Sequence, residues 1–241
     1  MFKSISSIIS FLTIIPSKNS DIGTVARYMY LFPVGGIVIG LIVGSIGFGI
    51  SSFLDPLIVG LLLTGSLVVL TGIHHTDGLC DLADGLMAKG TKEKKQNIMR
   101  DPAVGAAGVI TVVLYVAGMI MAFSMMKGIV LFQAILLSEI LAKFVMVLQA
   151  NRGSSAWTGM SSPFTETMKD KKKLGIAAAI AVPPLVLIGG TTGLIVLAAG
   201  VGLSFLLLAI ANRSFGGISG DVFGGTNELT RLSSLLIFAS I

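Results

Sequence analysis

Apolar residues run along this chain in long blocks, and the polar ones gather between them. Blocks long enough to cross a hydrocarbon core of about 30 Å lie at Leu31 to Phe53, Pro56 to Ile73, Gly108 to Met126, Gly128 to Ala150, Leu174 to Gly190 and Thr191 to Ala211. A weaker seventh runs from Asp221 to Ile241. In lipid a backbone must satisfy its own hydrogen bonds, so such blocks predict helices. The expected fold is all-α: a polytopic integral membrane protein with about six to seven transmembrane helices. No internal repeat or linker interrupts it, so residues 1–241 read as a single helical membrane domain. Ahead of the spans, Phe2, Ile5, Ile9 and Leu12 fall on one helical face and Ser4, Ser7 and Ser10 on the other. That pattern predicts an N-terminal helix lying in the membrane interface. No small-x-small cleavage site follows it and Pro16 interrupts the run, so it is expected to be retained.

Composition agrees with the pattern: 54% of residues are hydrophobic and only 12% charged, too few for an ordinary soluble domain. The net charge of +5 would point to nucleic acid in a soluble protein, but here position matters more than total. If the spans are as drawn, one side holds Lys3, Lys18 and Arg27, then Lys89, Lys92, Lys94, Lys95 and Arg100. The same side holds Arg152, Lys169, Lys171, Lys172 and Lys173, then Arg213 and Arg231, against Lys127 alone on the other. The positive-inside rule then places the N-terminus and the polar connections in the cytoplasm, with the protein in the cell membrane and no nucleic-acid partner. Gly36, Gly40 and Gly44 have small-xxx-small spacing, expected to pack helices within one chain, with a homo-oligomer left possible. The lone Cys80 says nothing of redox compartment.

The polar stretch "HHTDGLCDLADG" follows the second apolar block. On a helix Asp77, Asp81 and Asp84 share one face. An Asp at a membrane helix centre costs about 3 kcal/mol, so three facing lipid would oppose insertion by about 8–10 kcal/mol. They are expected to line a wet cavity or hold a cation. Oxygen-only donors favour a hard divalent ion, above all Mg²⁺, which keeps waters for substrate phosphates.

Together with "MRDPAVGAAGV" and "GGISGDVFGGTNEL", this stretch resembles the cobalamin synthase family, the adenosylcobinamide-GDP ribazoletransferases. The chain carries the three family patterns in order: H-x-D-G-L-x-D-x-x-D-G from His75, R-D-x-x-x-G-x-x-G from Arg100, and G-G-x-x-G-D-x-x-G-x-x-x-E-L from Gly216. The similarity extends to "YLFPVGGIVIG", "SEILAK" and the loop around Arg152, essentially the full length; the family often has Arg near Lys143, and the last span is short here. The resemblance implies a Mg²⁺-dependent enzyme of nucleotide-loop assembly. A ribose hydroxyl of α-ribazole, or of α-ribazole 5′-phosphate, attacks adenosylcobinamide-GDP, giving adenosylcobalamin or its 5′-phosphate and releasing GMP.

Hydroxyl attack on a diphosphate needs charge screening, a stabilised leaving group and a proton acceptor. On this resemblance Asp77 and Asp81 are expected to bind Mg²⁺ with Asp221. Asp84 either completes the metal site or takes the hydroxyl proton. Substrate contacts are expected from His75, Arg100, Asp101, Arg152, Arg213, Asn227 and Glu228. Pro102 is expected to start the next helix, whose terminal amides would face the diphosphate. Glu139 and Lys143 are four apart, as in a helical ion pair. Trp157 is either an interfacial anchor or a stacking platform. The Lys169 to Lys173 run is expected to serve topology. The competing class is a divalent-cation or small-anion transporter, which would also place charges and glycines in membrane helices.

Overall fold

The computed structural model describes residues 2–16 and 21–241, with side chains from Ser4 onward. The expectations resting on Lys18 and on the side chains of Phe2 and Lys3 lie outside the described residues. Helices dominate: α1 (Phe2–Leu12), α2 (Ile22–Arg27), a 3-10 turn (Met29–Leu31), α3 (Phe32–Ile50), α4 (Pro56–Thr71), α5 (His74–Met87) and α6 (Lys92–Ile98). These are followed by α7 (Ala106–Ser124), α8 (Gly128–Arg152), α9 (Ser161–Thr167), α10 (Lys171–Leu187), α11 (Gly190–Phe215) and α12 (Gly220–Ser240). The seven expected spans therefore all exist as helices.

Among the described residues, four segments are long and apolar enough to cross a membrane unaided: Met29–Ile50, α7, α8 and α11. A fifth span arises only if α4, with 16 residues, is joined to α5, from which it is bent by 96°. The break falls at Gly72, whose φ of 66° is a left-handed conformation that a side chain disfavours. It swings the aspartates of α5 out of line with α4. The 17 residues of α10 fall short of a full span, and α12, though longer, carries Asp221, Glu228 and Arg231. Exposed Leu61, Ile110, Leu114, Leu194 and Leu206 clothe α4, α7 and α11 in the apolar surface that lipid requires. The chain is thus a multi-pass membrane protein.

Helix α8 is the central pillar, buried without interruption from Ala134 to Ala150. It packs on α3 backbone to backbone: a Cβ on Gly36 would lie 2.5 Å from the Glu139 carbonyl oxygen, and one on Gly40 2.7 Å from Leu136 Cα. The small-xxx-small stripe is therefore spent inside the chain. Helix α1 folds against α3 through Ile8 and Leu12, which cover Gly35. This corrects the expected facial division. Ser4 and Ser7 are buried while Ile5 and Ile9 are half-buried, because the inward face is centred on Ile8 and Leu12.

The polar connections meet at one end of the bundle. Ile14 N–H donates to Leu70 O at 2.8 Å, joining α1 to the end of α4. Lys173 Nζ donates to Arg27 O (3.1 Å) and Thr167 O (2.9 Å), and Lys169 Nζ to Gly153 O (2.6 Å). These lysines tie the loops together. The segment before α9 is pinned to the α11–α12 connection by Ile218 N–H to Ser154 O (2.8 Å) and Ala156 N–H to Ile218 O (2.9 Å). Arg231 does not belong with the connecting segments, since it lies buried within α12.

The packing predicts a contrast between two glycines. Gly36→Ala drives a methyl into α8 backbone and is expected to lower stability by about 1–3 kcal/mol. Gly65→Ala, with nothing within 4 Å of its Cβ, is expected to gain about 0.5–1 kcal/mol from helix propensity. Thermal unfolding in detergent checks both; equal midpoints would contradict the packing.

Candidate active site

The site forms where the start of α12 crosses α5. Two glycines allow the approach: a Cβ on Gly78 would sit 3.0 Å from Asp221 Cα, and one on Gly224 2.9 Å from the His75 carbonyl oxygen. Asp221, distant in sequence, is thereby set beside Asp77 and Asp81. Among the described residues, none of these aspartates is in a salt bridge. Burial and the negative charges of Asp221, Asp77 and Asp84 push the Asp81 carboxyl up to about 6. Asp221 is also raised, chiefly by burial, and accepts a hydrogen bond from Ser219 Oγ at 3.1 Å. Arg100 partly offsets the rise in Asp221.

Asp84 makes contacts that the sequence does not mark. Its two oxygens accept the backbone N–H groups of Gly105 and Gly108, each at 2.8 Å, so it caps the N-terminus of α7. The cap also corrects the reading of the RDP segment. Helix α7 starts at Ala106 rather than at Pro102, and its terminal amides face Asp84 instead of a diphosphate. Asp101 is exposed and closes a local turn, accepting from Ala103 N–H at 2.9 Å.

Beside the carboxylates lies a cavity of about 390 Å³. Asp77, Asp221, His74 and His75 give it a polar end, while Phe11, Phe32, Phe164 and Phe223 form its apolar walls. The ring centroids of Phe11, Phe32 and Phe164 stand 5.6–6.2 Å apart. Outside the cavity lining but close enough to act on Asp221, the Arg100 guanidinium lies 4.4 Å from the centre of the Trp157 ring. Arg152 and Arg213 are exposed at the ends of α8 and α11 and do not line the cavity.

Asn227 and Glu228, expected to meet substrate, are turned into the bundle and fully buried. Lys143 Nζ donates to Glu139 Oε2 (3.0 Å) and Asn227 Oδ1 (2.8 Å), and Asn227 Nδ2 donates to Glu228 Oε1 (3.0 Å). Arg231 pairs with both Glu139 and Glu228 and donates to Tyr115 Oη at 3.1 Å. Two acids and two bases make a neutral cluster joining α7, α8 and α12. His75 Nδ1 faces Asn227 Nδ2 at 3.5 Å, so this histidine stands between the cluster and the cavity. Sequence reasoning missed Tyr115 and Arg231 as members, although the i, i+3 spacing of Glu228 and Arg231 was a usable signal.

Among the described residues, no three His, Cys, Asp or Glu side chains converge into a ready ion shell. The donor chemistry nevertheless fits Mg²⁺, which binds through one or two carboxylates while waters and substrate phosphates complete its shell.

A family model described as Cobalamin-5-phosphate synthase matches residues 4–239, nearly the whole chain. The chain belongs to that family. Relatives named adenosylcobinamide-GDP ribazoletransferase match over nearly their full length. The one from Archaeoglobus fulgidus is 36% identical, covering 98% of this chain and 96% of its own. The one from Methanocella arvoryzae is 32% identical, covering 97% and 94%. The relative from Thermococcus kodakarensis is 32% identical, covering 98% and 97%. No solved structure matches the chain.

The buried cluster gives a stability prediction. Arg231→Met strands Glu139 and Glu228 without their guanidinium and is expected to cost about 3–5 kcal/mol. Adding Glu228→Gln to that variant should restore part of the loss. Chemical unfolding in detergent measures both; additive losses would show that the residues do not act as a unit.

Proposed function

We propose that this enzyme joins adenosylcobinamide-GDP to α-ribazole or α-ribazole 5′-phosphate, in a Mg²⁺-dependent transfer that releases GMP. One observation carries the reading: aspartates from two distant motifs, with no salt-bridge partner among the described residues, stand beside a cavity at the end of a membrane bundle. Relatives over the whole length carry the name of this reaction. The gathering of basic residues at the same end supports a cell-membrane protein whose site faces the cytoplasm.

In the reaction a ribose hydroxyl attacks the phosphorus bonded to cobinamide. The new P–O bond forms as the bond to the bridging oxygen breaks, and GMP leaves. Asp77 and Asp81, one turn apart on α5, would hold Mg²⁺. When bound, the ion screens the diphosphate and stabilises the departing phosphate. Asp221 faces the cavity with a raised proton affinity, which suits it to accept the hydroxyl proton. Asp84 holds α7 against α5, and so sets the position of the Arg100 segment that precedes α7. Arg100, steadied on Trp157, supplies a cation for phosphate oxygens.

The test is GMP release by purified protein in detergent, without a gradient, which also separates an enzyme from a transporter. Asp77→Asn, Asp81→Asn and Asp221→Asn are each expected to lower kcat/KM by about 100-fold or more while keeping the parent's unfolding midpoint. Chelation should abolish activity and Mg²⁺ restore it. Protonation competes with the ion at Asp81, so apparent Mg²⁺ affinity should fall as pH falls through about 6. Well-folded parent protein that forms no product with either acceptor overturns the proposal.

A further inference from the structure

We propose that the aromatic cavity seats the flat base of the acceptor nucleoside, with its ribose at Asp77 and Asp221, and that the N-terminal helix α1 is one wall of this substrate site. The assignment rests on the proposed reaction and adds which substrate goes where.

The cavity's size and lining choose between the two substrates. Its volume of about 390 Å³ lies in the range of pockets that enclose a drug-sized ligand, about 300–1,000 Å³. That is room for a bicyclic base and a pentose, and far too little for a corrin macrocycle with its side chains. Among the described residues, no lysine or arginine lines it. The guanosine diphosphate half of the donor would therefore leave its phosphates unpaired there, at a heavy desolvation cost. A neutral aromatic base meets the opposite conditions, since Phe11, Phe32 and Phe164 offer ring faces and edges at stacking distances. The donor's phosphates find a cation outside the cavity lining, where Arg100 rests on Trp157. Asp221 is common to both, lining the cavity and feeling the Arg100 charge, so the hydroxyl would meet the phosphorus there.

Helix α1 enters the argument through Phe11 and Ser10, which line the cavity, while Ile8 and Leu12 anchor the same helix on α3. Phe11 is only half-buried, so it can be changed with little disturbance of the core. Removal of its ring takes a wall from the base and leaves the Arg100 side untouched.

Steady-state kinetics with α-ribazole and adenosylcobinamide-GDP, together with equilibrium binding of α-ribazole alone followed by its benzimidazole fluorescence, test the assignment. Phe11→Ala should raise KM for the acceptor about tenfold with the donor KM within about twofold of the parent, and Phe11→Tyr should restore the parent value. Phe11→Trp keeps the ring packing while intruding on the cavity, so it carries the same test if truncation unfolds the protein. An unchanged acceptor KM, or a rise on the donor alone or on both substrates equally, overturns the assignment. If the parent releases no GMP, the proposed reaction fails on its own. Riboside binding that Phe11→Ala weakens would then still uphold the cavity, and absence of riboside binding to the parent would overturn it.

Discussion

The neutral cluster of Glu139, Lys143, Glu228 and Arg231 fixes the rotation of α12, and the rest of the site depends on that rotation. In a membrane interior each of these charges is tolerable only while its partners are present, so the helices that carry them have one rotational setting. On α12, Asp221, Gly224, Glu228 and Arg231 follow at intervals of three and four and form one stripe. Docking of the inner half of that stripe on α8 turns the outer half towards α5. Gly224 then meets Gly78, and Asp221 arrives beside Asp77 and Asp81. A one-residue slip of α12 would rotate Asp221 by about 100° and dissolve the site.

The two ends of the stripe obey opposite electrostatic rules. At the inner end, acids and bases balance, every charged group has a partner, and the result is rigidity. At the outer end, like charges are packed together, and burial with neighbouring negative charge raises the proton affinity of Asp81 and Asp221, an arrangement that costs stability unless something positive is recruited. Asp84 is the exception that supports the others, since its charge is absorbed by the amides of α7. On the proposed reading, the aspartates not engaged by those amides are the ones left for a cation or a proton. The fold thus separates acidic residues that hold the helices from acidic residues that face the cavity or crowd one another, even though both kinds belong to the same motifs.

That separation marks how far the sequence could be read. Long apolar blocks located the seven long helices, because a period-free run of that length has few other solutions in a membrane. The motif around Asp77 and the one around Asp221 identified the family chemistry, and the fold brought them together. Asn227 and Glu228 were read as substrate contacts because a motif shows residue type and not which way a helix face turns. Arg231 was grouped with the connecting segments because charge counting treats every base near a span end as exposed. Asp84 differed for another reason: its partners are backbone amides, which leave no mark in the sequence. The cavity was illegible, since Phe11, Phe32, Phe164 and Phe223 come from four helices with no spacing in common.

On the proposed reaction and base assignment, the position of the site at one end of the bundle answers a chemical problem. A carboxylate group that binds a hydrated cation needs water, whereas a flat apolar base binds best where water is excluded. Deep in the bundle the first requirement would fail, and in an aqueous loop the second would. The 96° turn from α4 to α5 meets both, by carrying the aspartates out of line with the span while leaving them beside a cavity walled by α1, α3 and α9. Helix α1 closes the apolar side of that cavity with a face that would otherwise lie in the membrane interface. Its amphipathic pattern therefore records two neighbours: the bilayer, and a pocket whose aromatic lining α1 helps to complete.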